Sequence, residues 1–582
     1  MKKETYVVCS PIDKLYPKKK DNSILLGEWC KIDINNKYLN KRNHKILKYH
    51  WKNRLKLEKD YYYIKKVYSL TSAELSNFLN KFHKINKPNK YWEQIFGNWL
   101  MQFIVFAYDK FYTLSMLPKK NYTVISLRDQ NNLTPNSSRE ANYLFQNDFY
   151  NNEFFISILK KINPNIKIIK KKYFFNNQFK ILKNKNKKYL NFFEFLNNIN
   201  KKESEVFIIS TYLGLLKETL LQIKVNNFLR FNFCEDISKK YIINYELRNS
   251  VLNFNKKDLF LNLISQEIIK NLPATYLEGY KDTLEKLKKK NWPNKPKKIF
   301  TSVLHLNFDL FKIWAAEKRL LGSKLVVGQH GLGYLVSKFH SQYDLDLNLS
   351  DEFIFWGKKK FGNKKIKKGF NFISLAKFKR KKKENILLIQ KFPHKYQTKI
   401  IANDFNLADV EKNIKMQKVF LSRLNIINKN LIKIRYCFSK DFYQDVHNYE
   451  KYLWKDIKNE FKFENRSQPI KRSIINSKVV ILNSFHSTLF YECLTNNIPC
   501  IIFTNFSPKS FYKEGIKDYN NLKKIGIIQQ DPEGLSNFIN NKENFIENWW
   551  NDKKTKKIKN QFINNYCAVE KRPITCLNKI LS

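Results

Sequence analysis

The sequence predicts an α/β chain in which two doubly wound, Rossmann-like domains face a cleft. The N-terminal half is expected to carry a large helical, aromatic-rich insertion. Three observations carry that expectation. Short apolar runs rich in Val, Ile and Leu alternate with helical stretches, twice in succession, as buried parallel strands and their crossovers do. A Lys-dense stretch, residues 358–383, separates the two alternations and reads as an interdomain linker. Each half also holds one polar loop directly after a buried strand, the edge at which open α/β sheets bind ligands. The domains are placed at 1–370 and 371–582.

In chain order, residues 5–9 read as a first strand, stopped by Ser10-Pro11. A second run, 24–26, closes on Gly27 and Glu28, placing a carboxylate just past a strand end, where it suits acid–base work. From 41 to 117 the spacing is helical and rich in Trp, Tyr and His; aromatics at that spacing read as core. His50 and His83 lack an i,i+4 partner, so no metal site is expected there. Residues 122–127 read as a strand, and the Lys/Asn-rich 160–188 as an exposed insertion. Strands are expected at 206–211 and 298–306, with helical 212–225 and amphipathic 259–272 between them. A helix over 308–321, carrying Asp309, Lys312 and Trp314, runs into KLVVGQHGLGY at 324–334, and strand 352–356 closes the half. Beyond the linker, strands are expected at 385–389, 432–436, 479–482, 499–503 and 525–528.

The formal net charge is +57 over 582 residues. The Lys is spread along the chain beside abundant Asn, Ile, Phe and Tyr, and no nucleic-acid recognition motif accompanies it, so no nucleic-acid partner is expected. Such a charge favours anionic ligands and anionic membrane surfaces. The eight cysteines form no C-x-x-C pair and fit neither a zinc site nor a disulfide scaffold. The N-terminus has too short an apolar core for a signal peptide, and no run of about 18 apolar residues occurs, which predicts a cytoplasmic protein without a spanning helix. Peripheral contact with the inner membrane is compatible with this.

Two loops carry the chemistry. In the first, Leu325–Val327 form a buried run that breaks into Gly328, Gln329, His330, Gly331 and Gly333. Glycines there let the backbone turn and approach a ligand closely. In the second, the run at 479–482 ends at Asn483, and Ser484, His486, Ser487 and Thr488 lead into a helix that carries Glu492. Ser and Thr at a helix start cap its N–H groups, and the same N–H groups attract phosphate. Arg435, at another strand end, is a further phosphate-pairing candidate, and His394 a lesser one. An ordinary turn and an ordinary N-cap would give the same residue patterns.

The segments LLGEWC (25–30), KYWEQIFGNWL (90–100), KIWAAEKRLLGSKLVVGQHGLGY (312–334), EFIFWG (352–357) and FHSTLFYECLTNNIPCIIF (485–503) resemble a bacterial family of transferases from O-antigen and other surface-carbohydrate clusters. That family is similar in turn to GT-B glycosyltransferases, including capsule-polysaccharide and glycerophosphate-polymer enzymes. The resemblance implies a nucleotide-sugar donor held by the C-terminal domain and a glycan or lipid-linked acceptor on the N-terminal side. It also implies chemistry without a bound metal; no D-x-D triplet of the kind metal-dependent transferases use is read in the sequence, and no cofactor is expected beyond the nucleotide-sugar substrate.

The expected function is transfer of a sugar onto a surface polysaccharide or lipopolysaccharide precursor. Ser484, Ser487, Thr488 and the helix N-terminus would hold phosphate, and Glu492 would bind hydroxyls. His330 and Glu28 are the candidate general bases, with His330 favoured because a neutral imidazole titrates near working pH. Transfer of a phospho-substituent such as glycerol phosphate is the alternative. A non-catalytic basic protein binding membrane or nucleic acid is the third reading.

Overall fold

The computed structural model describes residues 4–17, 21–31, 44–128, 133–175, 177, 179, 203–254, 257–331, 333–373, 385–391, 393–401, 407–437, 453–464, 468–505, 511–542 and 544–582. Within them the apolar runs pair as parallel ladders in three sheets. The first contains β1 (Thr5–Val8), β2 (Asn22–Leu25), β3 (His44–Ile46), β4 (Thr123–Arg128) and β5 (Lys167–Lys172), in the order β3-β2-β1-β4-β5. The second contains β6 (Val206–Ile208), β7 (Lys298–Thr301), β8 (Lys324–Gly328), β9 (Glu352–Phe355) and β10 (Ile366–Lys368), in the order β10-β9-β8-β7-β6. The third contains β11 (Asn385–Gln390), β12 (Ile432–Tyr436), β13 (Lys462–Phe463), β14 (Ser477–Leu482), β15 (Cys500–Phe503) and β16 (Ile528–Gln529), in the order β13-β12-β11-β14-β15-β16.

The strand order decides where a ligand fits. In the third sheet the crossovers diverge from β11, to β12 on one side and β14 on the other, which opens a crevice beyond the carboxyl ends of that pair. The second sheet runs monotonically and has no such reversal. The sequence reading puts all strands from 5–9 to 352–356 in one Rossmann-like unit, but they form two sheets, and the second of these meets the third. The first sheet adds a parallel unit to the N-terminal half, beside the expected helical stretch.

That stretch is two long helices, α1 (Arg54–His83) and α2 (Asn89–Ser115). Asn53 starts α1 by accepting from the N–H groups of Leu55 and Lys56. Lys84 ends it in the left-handed region at φ 55°. The aromatics are core as predicted: Trp92, Trp99, Phe103 and Phe106 are buried. His50 pairs with Asp109 at 3.1 Å, and His83 meets the Tyr276 carbonyl at 3.0 Å.

Further helices flank the sheets: α3 (Asp148–Ile162), α4 (Leu215–Asn226), α5 (Leu259–Asn271), α6 (Asp309–Leu320), α7 (Ser341–Leu349), α8 (Thr488–Thr495) and α9 (Pro573–Leu581). Several boundaries differ from the sequence reading. The strand expected over 298–306 stops at Thr301, because the Thr301 hydroxyl accepts from the N–H groups of Val303 and Leu304 and starts a helical turn. The last strand begins at Ile528, since Gly526 turns the chain at φ +77° and Trp549 donates to the Ile525 carbonyl at 2.6 Å. In the stretch read as an insertion, Lys160–Ile162 end α3 and β5 pairs with β4 along its whole length. Residues 176, 178 and 180–188 of that stretch lie outside the described residues. Of the linker, β10 pairs with β9, and Phe370 and Phe372 are buried. Residues 374–383 lie outside the described residues.

Candidate functional site

The loop after β8 is built to pass close to other parts of the chain. A Cβ on Gly328 would stand 2.5 Å from the Ser302 hydroxyl and 2.6 Å from the Phe372 ring. Gln329 is fully buried; it donates to the Gly331 carbonyl at 2.7 Å and accepts from the Trp356 N–H at 2.9 Å. Its amide therefore fixes the turn and is not available to a ligand. Gly333 has φ +95°, and a Cβ there would lie 2.7 Å from His486 Nδ1. Here the second sheet's loop meets the third sheet's.

His330, beside this turn, belongs to a buried network. Asp346, on α7, has no exposed surface. It accepts from His305 Nε2 at 2.9 Å, from the Tyr334 hydroxyl at 2.6 Å and from Gln342 Nε2 at 3.0 Å. Burial raises its pKa, but the His305 hydrogen bond and the charges of His305 and His330 outweigh that and hold it at about 2. The Tyr334 oxygen also lies 3.1 Å from Nδ1 and 3.2 Å from Nε2 of His330. Because its proton goes to Asp346, that oxygen can only accept from His330, and both imidazole nitrogens lie against it. Burial pulls His330 down to about 4 against the pull of Asp346, so the ring is neutral at neutral pH and does not titrate near it, contrary to the expectation that favoured it as base. His340, whose Nδ1 caps α7 by accepting from the Tyr343 N–H, is likewise held near 4 by burial.

The loop then crosses to the third sheet. Ser337 pairs antiparallel with Phe511, and its hydroxyl lies 3.4 Å from His486 Nε2. His340 pairs with Ile401, and the Tyr512 N–H donates to the Val336 carbonyl. Apolar side chains of both sheets, among them Val336, Trp356, Phe485 and Tyr491, form one core beneath these contacts.

The third sheet's crevice lies directly opposite. Asn483, past β14, accepts from the Lys391 N–H at 2.8 Å and donates to Gln390 Oε1 at 3.0 Å, tying the ends of β11 and β14 together. Lys391 Nζ donates to the His486 carbonyl at 3.0 Å. Ser484 accepts from the His486 N–H at 3.2 Å. Ser487 holds the N-cap position of α8, with Thr488 its first residue, but makes no side-chain cap, contrary to the expected capping. Glu492, one turn in, is only 6% exposed. Its Oε2 meets no hydrogen-bond partner among the described residues, and burial raises its pKa against the pull of Lys471.

Two candidates point elsewhere. Arg435 donates to Glu464 at 3.0 Å, to the Ser473 hydroxyl at 2.8 Å and to the Gln468 carbonyl, so its guanidinium braces the sheet instead of facing the crevice. Glu28 sits past β2 on the first sheet in an ion pair with Lys31 at 2.6 Å, and none of its described pairings reaches the His305–Asp346 network. His394 is exposed.

The sequence reading missed His305, Tyr334, His340 and Asp346. His305 falls inside the strand expected over 298–306; because β7 ends at Thr301, it stands instead on the helical turn Leu304–Asn307, against Asp346. Asp346 belongs to a D-x-D triplet, Asp344-Leu345-Asp346, that was passed over. On a helix those two carboxylates point apart. Asp346 faces the histidines, while Asp344 accepts from Tyr61 and from Lys65 Nζ at 2.8 Å.

A transferase family model, described as LIC12162 family transferase, matches residues 5–581. The chain belongs to this family. It is therefore an enzyme of the transferase class, and the resemblance read from its motifs holds at that level. Among solved structures, the wall teichoic acid polymerase TagF is 10% identical with a TM-score of 0.29, over 49% of this chain and 72% of that one. MurG of Acinetobacter baumannii is 11% identical with a TM-score of 0.27, over 52% and 76%. The Streptomyces sp. SF2575 glycosyltransferase SsfS6 is 8% identical with a TM-score of 0.28, over 67% and 94%. At these scores the likenesses carry no inference about the family member described here. No curated protein matches its sequence.

Proposed function

We propose that this transferase moves a sugar from a nucleotide-sugar donor to a surface polysaccharide or lipopolysaccharide-type precursor. The observation that carries the reading is the juxtaposition at Gly333 and His486: a topological switch-point crevice meets a buried His–Asp–Tyr network on the facing sheet. In this reading the donor diphosphate lies at Ser484, Ser487, Thr488 and the N-terminus of α8, where helix dipole and N–H groups favour an anion. Glu492 takes ribose or sugar hydroxyls with its unpartnered oxygen. The acceptor enters from the N-terminal side, residues 1–370, and residues 371–582 hold the donor.

His330, a neutral imidazole, accepts the proton of the acceptor hydroxyl on its unprotonated nitrogen as that oxygen bonds to the anomeric carbon. The bond from that carbon to the diphosphate breaks, and its electron pair leaves on the phosphate oxygen, facing the helix N-terminus. Asp346 holds the imidazolium that forms through Tyr334. Glu28, paired with Lys31 on the first sheet, takes no part in this step. The chemistry proceeds without a bound metal or cofactor, in the cytoplasm.

A thermal-shift screen against UDP-, GDP-, dTDP- and CMP-sugars, with CDP-glycerol as a separate arm, tests this. A true donor at 100-fold excess over Kd stabilises by about 2.7 kcal/mol. One nucleotide-sugar class is expected to shift the wild type and not Ser487→Ala/Glu492→Ala. A shift with CDP-glycerol alone makes the protein a phospho-substituent transferase, and no shift with any of them overturns the donor site.

A further inference from the structure

The helix that follows β6 departs from the pattern of the other helices packed on the sheets. On α4, Leu221 and Gln222 are buried, and α9 packs against the helix. The opposite face is apolar too. Leu216, Leu220 and Ile223 are 74%, 48% and 42% exposed. Their spacing of four and three residues places them on one stripe. Leu215, at the helix start, is 60% exposed. Lys217 and Lys224 flank the stripe on one side, and Lys571, Arg572 and Lys579 are exposed on and beside α9, the helix that packs against α4.

A helix with three adjacent bulky side chains in water on one face, beside a row of lysines, has the two features an interfacial helix needs. The apolar stripe enters the headgroup boundary, and the ammonium groups pair with lipid phosphates. Its place in the fold ties it to the cleft. The Thr211 carbonyl, in the loop that leads into α4, accepts from the Ser302 hydroxyl at 3.2 Å, and that hydroxyl stands against Gly328 at the start of the His330 turn.

We propose that the exposed face of α4 is a docking surface for an anionic lipid bilayer, which brings the mouth of the cleft to the membrane plane. Charge complementarity selects this occupant over a second copy of the chain: two such faces brought together would oppose their own lysines, within molecules that each carry a net +57. The proposal rests on the helix face and its charges and not on the identity of the donor. Its test is therefore separate from the nucleotide-sugar screen.

The test is co-sedimentation of the full chain with vesicles of phosphatidylcholine alone, or of phosphatidylcholine and phosphatidylglycerol at about 3:1. Three variants accompany the wild type: Leu216→Glu/Leu220→Glu, Lys217→Glu/Lys224→Glu, and Ile426→Glu/Ile427→Glu. The last pair is equally apolar and exposed, at 79% and 72%, on a different helix. Wild type is expected to bind the anionic vesicles and not the neutral ones. Both α4 variants should lower the partition coefficient by about tenfold or more, as removal of the apolar insertion or of the phosphate-pairing charges requires. The Ile426/Ile427 variant should bind as wild type does. An equal loss in that variant would mean that overall charge alone drives binding. That result overturns the proposal, as does undiminished binding by Leu216→Glu/Leu220→Glu. Light scattering supplies the other refutation: a dimer that the Leu216/Leu220 variant dissolves would make the stripe a subunit interface. Because Leu216, Leu220, Lys224, Ile426 and Ile427 already face water and Lys217 is half-exposed, all three variants should melt within a few degrees of the wild type.

Discussion

Gly333 and Gly331 stand two residues apart in one loop and look alike in the sequence, yet alanine at the two positions should give opposite results. At Gly333 the backbone has φ +95°, where an L-residue costs about 1–2 kcal/mol. The added methyl would sit 2.7 Å from His486 Nδ1, 2.8 Å from its Cε1 and 3.3 Å from His340 Cδ2. Relieving that overlap means rotating a buried imidazole away from Ser337, which as overpacking costs about 1–3 kcal/mol more. The expected loss is thus about 2–5 kcal/mol. At Gly331 φ is not positive, and the nearest atom to the methyl is a Tyr334 ring carbon at 3.9 Å, so alanine should stay within about 0.5 kcal/mol of wild type. Urea unfolding followed by tryptophan fluorescence measures both, and donor-induced thermal shifts report whether the cleft survives. A Gly333→Ala protein as stable as Gly331→Ala would refute the claim that the two sheets' loops meet at this contact.

Stability should also fall in mild acid. His330 and His340 are held near 4 in the folded chain against an ordinary 6.5, so the unfolded chain binds more protons between those values. Their neutral burial costs nothing above pH 6.5. As pH falls toward 4, each withdraws about 3 kcal/mol, and His340→Gln should flatten the fall in urea midpoint. Asp346, held at about 2, acts lower: its share is present above 3.8 and lost only as pH falls through 2. Glu492→Gln removes a buried, unpartnered carboxylate, so it should leave the protein as stable or about 1 kcal/mol more stable while abolishing the donor-induced thermal shift. Arg435→Ala should do the reverse: it orphans Glu464 and costs about 3 kcal/mol of stability, with donor Kd by calorimetry unchanged.

Much of the frame is written locally. Val7-Val8, Val326-Val327 and Val479-Val480 make strands wherever they are put, because β-branched runs bounded by turn residues suit only a buried ladder. The glycines after β8 and the Ser/Thr turn after β14 announced loops at strand ends, and those loops do lie at the carboxyl edges of facing sheets. The division of strands among sheets was not local. Lys167–Lys172 is a basic run with only Ile168 and Ile169 apolar, and it is a strand through its pairing with β4 at the sheet edge.

The sequence by itself determined where the backbone must turn and which residue types stand at the turns. Only the tertiary structure decided what those side chains face. Arg435 near the end of β12 and His486 just past β14 both stand at the carboxyl edge of the third sheet, but one is spent on Glu464 and Ser473 and the other lies against Gly333. His305 and Asp346 are far apart in the chain and belong to different helical segments, yet they share a hydrogen bond. The reason is physical. Turns and ladders follow from the dihedral preferences of a few neighbouring residues, whereas a buried charge survives only beside the partner that packing brings to it.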